Sequence, residues 1–252
     1  MTPGTLLLVP NALDLGAEEV ALGDVLPDGV IRRAAALRHW AAEDARSTRA
    51  FLKRVAALTP LAVPLQAIAI TELPRPRKGS REPVPAAEWH TLLKPALEGH
   101  ELGLLSEAGL PAVADPGAAL VQAAHAAGVP VLPLPGASSL LLALAASGLN
   151  GQSFAFVGYL PQDAAPRAAR LKELEALSRR LAQTQLIIET PYRNAALLGA
   201  MTAVLSPSTR VAVSCGLTLP GGWSRSDSVA GWTRRPVQMP DRWPAVFSLL
   251  AA

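Results

Sequence analysis

Cysteine occurs once, at Cys215, so no internal disulfide can form and the fold does not depend on oxidation; a reducing cytoplasm is the natural setting. That residue lies in the apolar run VAVSC and reads as a small core residue rather than a thiol nucleophile. The four histidines, His39, His90, His100 and His125, stand far apart without i, i+4 partners. With one cysteine they build no zinc site, so metal catalysis is disfavoured and the expected metal set is none. No apolar run reaches the length of a membrane span, and residues 1–10 lack the basic start and apolar core of a secretory signal, so a soluble, unprocessed chain away from the membrane is expected. Neither a GxSxG elbow nor a P-loop is present. Aromatic residues make up 4% of a chain that is 50% hydrophobic, which leaves most of the packing to Ala, Leu and Val.

The chain has 252 residues, enough for one large or two small domains, each with its own core. Its charge is more informative divided than summed. Residues 1–150 carry 12 Lys and Arg against 14 Asp and Glu, whereas residues 151–252 carry 11 against 6. Arg225, Arg234, Arg235 and Arg242 gather near the C-terminus, and Arg75, Arg77, Lys78 and Arg81 crowd a proline-rich loop over 71–85. Such clusters suit an anionic partner, RNA being the obvious one, and equally suit a solvated face.

Strands and helices alternate through the first half. Apolar runs predict strands at 4–10, 30–36 and 65–70, a strand ending just before Glu43, and helices at 47–58 and 89–98. The most informative stretch is 103–147. It reads as strand, Gly/Pro loop, helix, strand, Gly/Pro loop and helix, with loops at 106–109, 114–117 and 133–139. Parallel strands whose carboxyl ends lead through small residues into helix N-termini form a crevice where a ligand meets exposed backbone N–H groups. Turn chemistry at Leu149-Asn150-Gly151 places a domain boundary there, dividing the chain into 1–150 and 151–252. The second part is expected to hold strands at 153–159, 185–189, 210–215, 226–233 and 245–250, with helices at 166–181 and 193–205. The fold class is therefore two α/β domains: an N-terminal one with a mostly parallel sheet and helices on both faces, and a smaller C-terminal one with a mixed sheet.

Several motifs, in order, resemble those of one family. AAEDARSTR (41–49) is similar to an "AAEDTRxT" signature, LLSEAGLPAVADPG (104–117) to "LVSDAGTPxISDPG", and PLPGASSLLLALAASGL (133–149) to "PLPGPSAxxxALxxSGL". FAFVGYLP (154–161) and ETPYR (189–193) match the start and middle of a second domain. The set resembles the ribosomal RNA small-subunit methyltransferase I group of the tetrapyrrole methylase superfamily. The resemblance implies a two-domain methyltransferase, commonly a homodimer, that binds S-adenosylmethionine in the interdomain cleft and methylates RNA, with a ribose 2'-hydroxyl of ribosomal RNA as acceptor.

Carried onto this sequence, the resemblance places cofactor contacts at Pro10, Ser106, Glu107, Ala108, Gly109, Asp115, Pro116, Gly117, Pro135, Gly136, Ser138, Tyr159 and Tyr192. Gly136 is expected to let backbone approach the cofactor closely. Asp115 and Glu107 are equally compatible with loop and helix capping. Glu43, Asp44 and Arg46 are candidate catalytic residues that orient an acceptor hydroxyl or take its proton, or else a capping cluster before a helix N-cap at Ser47 or Thr48. Arg75, Arg77, Lys78 and Arg81 are candidate substrate contacts. The chain departs from the family pattern at Ala45, Glu107 and Leu110, and the segments 67–83 and 212–223 lack the family's "HEHNE"-like and "ARELTKxHE" residues. Two alternatives therefore stay open: methylation of a small anionic, tetrapyrrole-like compound, and a non-catalytic cofactor-binding paralogue.

Overall fold

The computed structural model describes residues 2–13, 20–76 and 83–251. It separates into two compact units, the first ending at Ser138 and the second starting at Ser139.

The first unit contains β1 (Leu6–Val9), α1 (Leu22–Val25), α2 (Asp28–Ala36), β2 (His39–Ala42), α3 (Ala45–Leu58), β3 (Ala69–Glu72), α4 (Ala86–Leu92), α5 (Lys94–Leu97), β4 (Leu102–Leu105), α6 (Ala118–Ala126) and β5 (Val131–Pro133). Its five strands run parallel in the order β3-β2-β4-β1-β5. Successive side chains leave a strand on opposite faces, and the core divides accordingly. Leu7, Val9, Trp40 and Leu105 join α1, α2 and α3 through Leu22, Ile31, Phe51 and Leu52. Leu6, Ala41, Leu102 and Leu104 join α4, α5 and α6 through Leu92, Ala96 and Leu120. Helices thus cover both faces, and each fully buried Leu or Val contributes roughly 1.5–3 kcal/mol. Gly103 is required in β4 because a Cβ there would lie 2.7 Å from the ring of Trp40, the largest buried side chain of this layer.

Three local expectations are corrected. Residues 30–36, expected as a strand, belong to helix α2: Val30, Ile31, Ala34 and Ala35 are buried on one helical face, and Pro27 precedes the first turn. The expected strand at 65–70 begins as a 3-10 turn, Leu65–Ala67, before β3 starts. The N-cap of α3 is Asp44, not Ser47 or Thr48. The Ser47 N–H donates to Asp44 Oδ1 at 2.6 Å, and both hydroxyls donate back to the Asp44 carbonyl; such a cap satisfies N–H groups that the first helical turn leaves without partners.

The second unit contains α7 (Ser139–Ser147), β6 (Phe154–Gly158), α8 (Ala164–Leu181), β7 (Thr184–Glu189), α9 (Asn194–Val204), β8 (Arg210–Cys215), β9 (Trp223–Ser228), α10 (Val229–Arg234) and β10 (Ala245–Leu250). The sheet order is β6-β7-β10-β8-β9, mixed, with only β6 and β7 paired in parallel. Helix α7 lies with this unit because Leu140, Ala143 and Leu144 pack on Leu186 and Val246, so the units divide one helix before the turn at Asn150. The strand expected at 226–233 ends at Ser228, whose hydroxyl accepts the Gly231 N–H at 3.1 Å and starts α10. Cys215 is fully buried, and burial pushes its thiol up to about 11. Among the described residues no helix is long and apolar enough to cross a membrane.

Candidate functional site

All five strands of the first sheet end on the same side, so the segments after β1, β2, β3, β4 and β5 meet at one edge. Parallel α/β sheets bind ligands at that edge. Asn11, directly after β1, ties it together. Its N–H donates to the Gly109 carbonyl at 2.8 Å, and its Nδ2 donates to the carbonyls of Ser106 (3.2 Å) and Glu107 (2.9 Å). Its own Oδ1 accepts the Ala12 N–H at 2.8 Å. Nothing in the sequence pattern singled out Asn11; the only signal was a short polar residue behind Pro10 at a strand end.

Glu43 joins the β2 and β4 ends. Its N–H donates to the Leu105 carbonyl at 3.0 Å, and its Oε2 accepts the Glu107 N–H at 3.1 Å. The Arg75 guanidinium, beyond β3, donates to the Glu43 carbonyl at 3.1 Å. Of the three residues grouped from sequence, Glu43 is thus a loop tie and Asp44 a helix cap. The Ser47 backbone N–H holds the Asp44 carboxyl below its ordinary range, as expected for an anion accepting N–H bonds. Arg46 is exposed on the first turn of α3.

Asp115 differs from these. The N-cap of α6 is Gly117, with φ of 133° and no side-chain cap, so Asp115 does not cap that helix. Its carboxylate has no hydrogen-bond partner among the described residues. Burial, then the neighbouring charges of Glu43 and Glu107, push its pKa up to about 6. Burial also raises Glu107, with Glu43 and Asp44 adding and Arg75 opposing. Ser106, 2% exposed, carries an Oγ with no partner among the described residues.

The loop that carries Asp115 is held in left-handed backbone at Gly109 (φ 66°), Ala112 (66°), Ala114 (67°) and Gly117 (133°). An L residue pays roughly 1–2 kcal/mol for that conformation, so Ala112 and Ala114 store strain beside the acids. At Gly136 the protein itself approaches closely: a Cβ there would overlap the Pro10 ring. Pro10, Ala108, Pro116 and Pro135 belong to the same strand-end segments, and Ser138 closes the unit.

Tyr159 and Tyr192 lie in the second unit, after β6 and β7, and both are largely exposed. The Arg193 guanidinium sits 5.7 Å from the Tyr192 ring centre and is anchored by Glu189, whose buried Oε1 accepts it at 2.6 Å. The basic cluster of this unit is partly consumed internally. Arg225 stacks 4.1 Å over Trp232 and donates to Asp227 and to the carbonyls of Gly231 and Arg235, and Arg235 also donates to Asp227. Arg77, Lys78 and Arg81 lie outside the described residues. No group of three or more His, Cys, Asp or Glu side chains placed to hold a metal ion occurs among the described residues.

A family model described as "Tetrapyrrole (Corrin/Porphyrin) Methylases" matches residues 29–222. The chain belongs to this family. It is similar to the ribosomal RNA small subunit methyltransferase I of Mesorhizobium japonicum, 41% identical over 120 residues that cover 48% of this chain and 40% of that protein. The match spans 33% of the protein of the same name from Micromonospora olivasterospora and 58% of that from Bacillus subtilis. Its fold is that of a solved protein titled a putative cobalamin synthesis related protein (CobF) from Corynebacterium diphtheriae, with a TM-score of 0.59, 14% identity and 98% of each chain covered. It is also that of the uroporphyrin-III C-methyl transferase from Thermus thermophilus, solved in complex with S-adenosylhomocysteine, with a TM-score of 0.50, 20% identity, 98% of this chain and 97% of that one covered.

Proposed function

We propose that this chain is an S-adenosylmethionine-dependent methyltransferase acting on RNA, with a ribose 2'-hydroxyl of ribosomal RNA as the acceptor that the resemblance favours. The observation that carries the reading is the carboxyl edge of the first sheet, where Asp115 is half-buried, without a hydrogen-bond partner among the described residues, and near enough to Glu43 and Glu107 to feel their charges. An acid-rich edge of this kind suits a ligand bearing positive charge, and S-adenosylmethionine carries a sulfonium and an ammonium. The Oγ of Ser106, without a partner among the described residues, and the left-handed glycines at 109 and 117 fit a ligand held by loops and main chain. The residues present therefore fit the cofactor.

When bound, the cofactor supplies a methyl group already activated on sulfur. The chain's own task is then to hold, orient and exclude water, with no metal required. Ser106, Glu107, Ala108 and Gly109 would face it from the β4 segment, Asp115, Pro116 and Gly117 from the strained loop, and Pro10, Pro135, Gly136 and Ser138 from the β1 and β5 ends. Asp115 would hold its positive end. Glu43 keeps the β4 segment in place through the Glu107 amide, a positioning role. Tyr159 and Tyr192 are proposed cofactor contacts of the second unit, and Arg75, Arg77, Lys78 and Arg81 proposed contacts to the anionic substrate. A cytoplasmic homodimer accompanies this reading by family likeness.

A small anionic acceptor is the second reading, favoured by the segments at 67–83 and 212–223, which lack the "HEHNE"-like and "ARELTKxHE" residues of the ribosomal RNA group. Transfer of labelled methyl from S-adenosylmethionine into an extract lacking this protein separates the readings. Label in ribosomal RNA supports the first, and label in small acids the second. No labelled product, with tight S-adenosylhomocysteine binding by calorimetry, would identify a non-catalytic paralogue.

A further inference from the structure

A cavity of about 550 Å³ opens in the first unit between the outer strands and helices α4 and α5, and reaches Glu72 and Pro74 at the end of β3. By strand alternation its floor is the face that carries His39, Ala69, Thr71 and Leu102, and its wall holds Glu88, Thr91 and Glu98. It adjoins the free edge of β3. Ala69 and Leu73 donate inward to the carbonyls of Arg38 and Ala42, so alternation turns the N–H and C=O groups of Ile70 and Glu72 outward, where no described strand pairs with them. An unpaired edge is a template for another strand.

The other sheet edges are blunted. β5 contains Pro133, which has no N–H to donate; β6 is bulged between Phe156 and Gly158; β9 carries the tied charges Arg225 and Asp227. The β3 edge combines open backbone groups with an adjoining cavity. Among the described residues the cavity's charges are Glu88 and Glu98 against Lys94, which pairs with Glu98 at 3.8 Å; the Glu72 carboxylate is taken by the Ala45 N–H at 3.0 Å. His39 adds little positive charge, since burial, His100 and Arg38 lower its pKa.

We propose that the β3 edge and this cavity receive a basic, extended segment of a protein partner, which adds a strand to the first sheet and sends alternate Lys or Arg side chains toward Glu88 and Glu98. Main-chain bonds supply affinity in this mode and alternate side chains supply specificity. This inference does not depend on the methyl-transfer reading.

A fluorescently labelled peptide of five Val-Lys repeats, titrated against the full chain by anisotropy, tests it. Binding should protect the Ile70 and Glu72 amides from hydrogen exchange. N-methylation of alternate peptide amides should abolish binding, and Glu88→Lys with Glu98→Lys, both exposed, should weaken it by about tenfold or more. Equal binding by the N-methylated peptide would overturn the proposal, leaving only charge attraction at the rim. So would unchanged binding by the double variant, protection elsewhere, or a self-associated chain that the peptide dissociates, which would make a second copy the occupant.

Discussion

Glu43 and Glu107, two carboxylic acids 64 positions apart, are joined through the Glu43 Oε2 and the Glu107 N–H at 3.1 Å. The bond fixes one negative charge beside another and beside Asp115. Replacing Glu43 by Gln keeps an acceptor for that N–H and removes the charge. The Asp115 pKa, now about 6, should therefore fall, because a like-charge neighbour no longer opposes ionisation. It should stay above the ordinary carboxyl range, since burial is the larger cause. Carboxyl carbon chemical shifts followed against pH check this; an unmoved midpoint would mean that Glu43 is not felt at Asp115.

The same pKa predicts a pH-dependent stability. The folded value, about 6, lies above the ordinary carboxyl value of 3.8, so the folded chain holds this proton more tightly than the unfolded chain. The resulting stability is fully present below pH 3.8 and lost as pH rises through about 6. Asp115→Asn removes the cost of the buried charge. It should stabilise the chain by about 1–2 kcal/mol at pH 8, allowing for solvent screening of a partly exposed group, and by nearly nothing at pH 3.5. Urea denaturation of both proteins at the two pH values gives the difference, and S-adenosylhomocysteine affinity should fall in the variant.

Gly136 should prove structural before it proves functional. Val at this position would overlap the ring of Pro10, and overpacking of this kind costs about 1–3 kcal/mol. The expected outcome is a lower melting temperature without any ligand present, partly restored by Pro10→Ala. A Gly136→Val protein with unchanged melting temperature and lost cofactor affinity would instead place the ligand against this glycine.

The strand-end loops were legible because Gly and Pro punctuate them, and the alternation of apolar runs with helices gave the layer arrangement. Helix α2 was not, because the adjacent β-branched pair Val30-Ile31 mimics a strand, while its second buried pair, Ala34-Ala35, is of a residue common throughout the chain. Asp44, Ser47 and Thr48 are all good capping residues within one turn, and only the bonds themselves distinguish the cap from the residues it serves. Asn11 and the Glu43–Glu107 tie join segments far apart in sequence, so no local pattern announces them. The turn at Asn150 is real turn chemistry, with the Asn150 Oδ1 accepting the Gln152 N–H, but the units divide where α7 finds its apolar partners.

Strain in the Asp115 loop gives a further test. Ala112→Gly and Ala114→Gly remove the left-handed penalty at φ of 66° and 67°, against the smaller entropic cost of a new glycine. Each should stabilise the chain by roughly 0.5 kcal/mol, read as a higher urea midpoint at unchanged slope. A loss of stability would show that these methyl groups pack more strongly than the backbone strains.

The basic residues after β3 should separate into two roles. Arg75 donates to the Glu43 carbonyl and opposes the upward shift of Glu107, so Arg75→Gln should raise the Glu107 pKa further and disturb cofactor affinity. Arg77, Lys78 and Arg81 are the other proposed phosphate contacts. Each phosphate that a protein neutralises contributes about 0.7–0.9 to the slope of log affinity against log salt. Changing these three to Gln should therefore leave S-adenosylhomocysteine affinity intact, weaken binding to a ribosomal RNA fragment at low salt, and reduce that slope by up to about 2–3. An unchanged slope would make them a solvated face. A loss confined to Arg75→Gln would move the RNA contact from the loop to the rim of the acidic site.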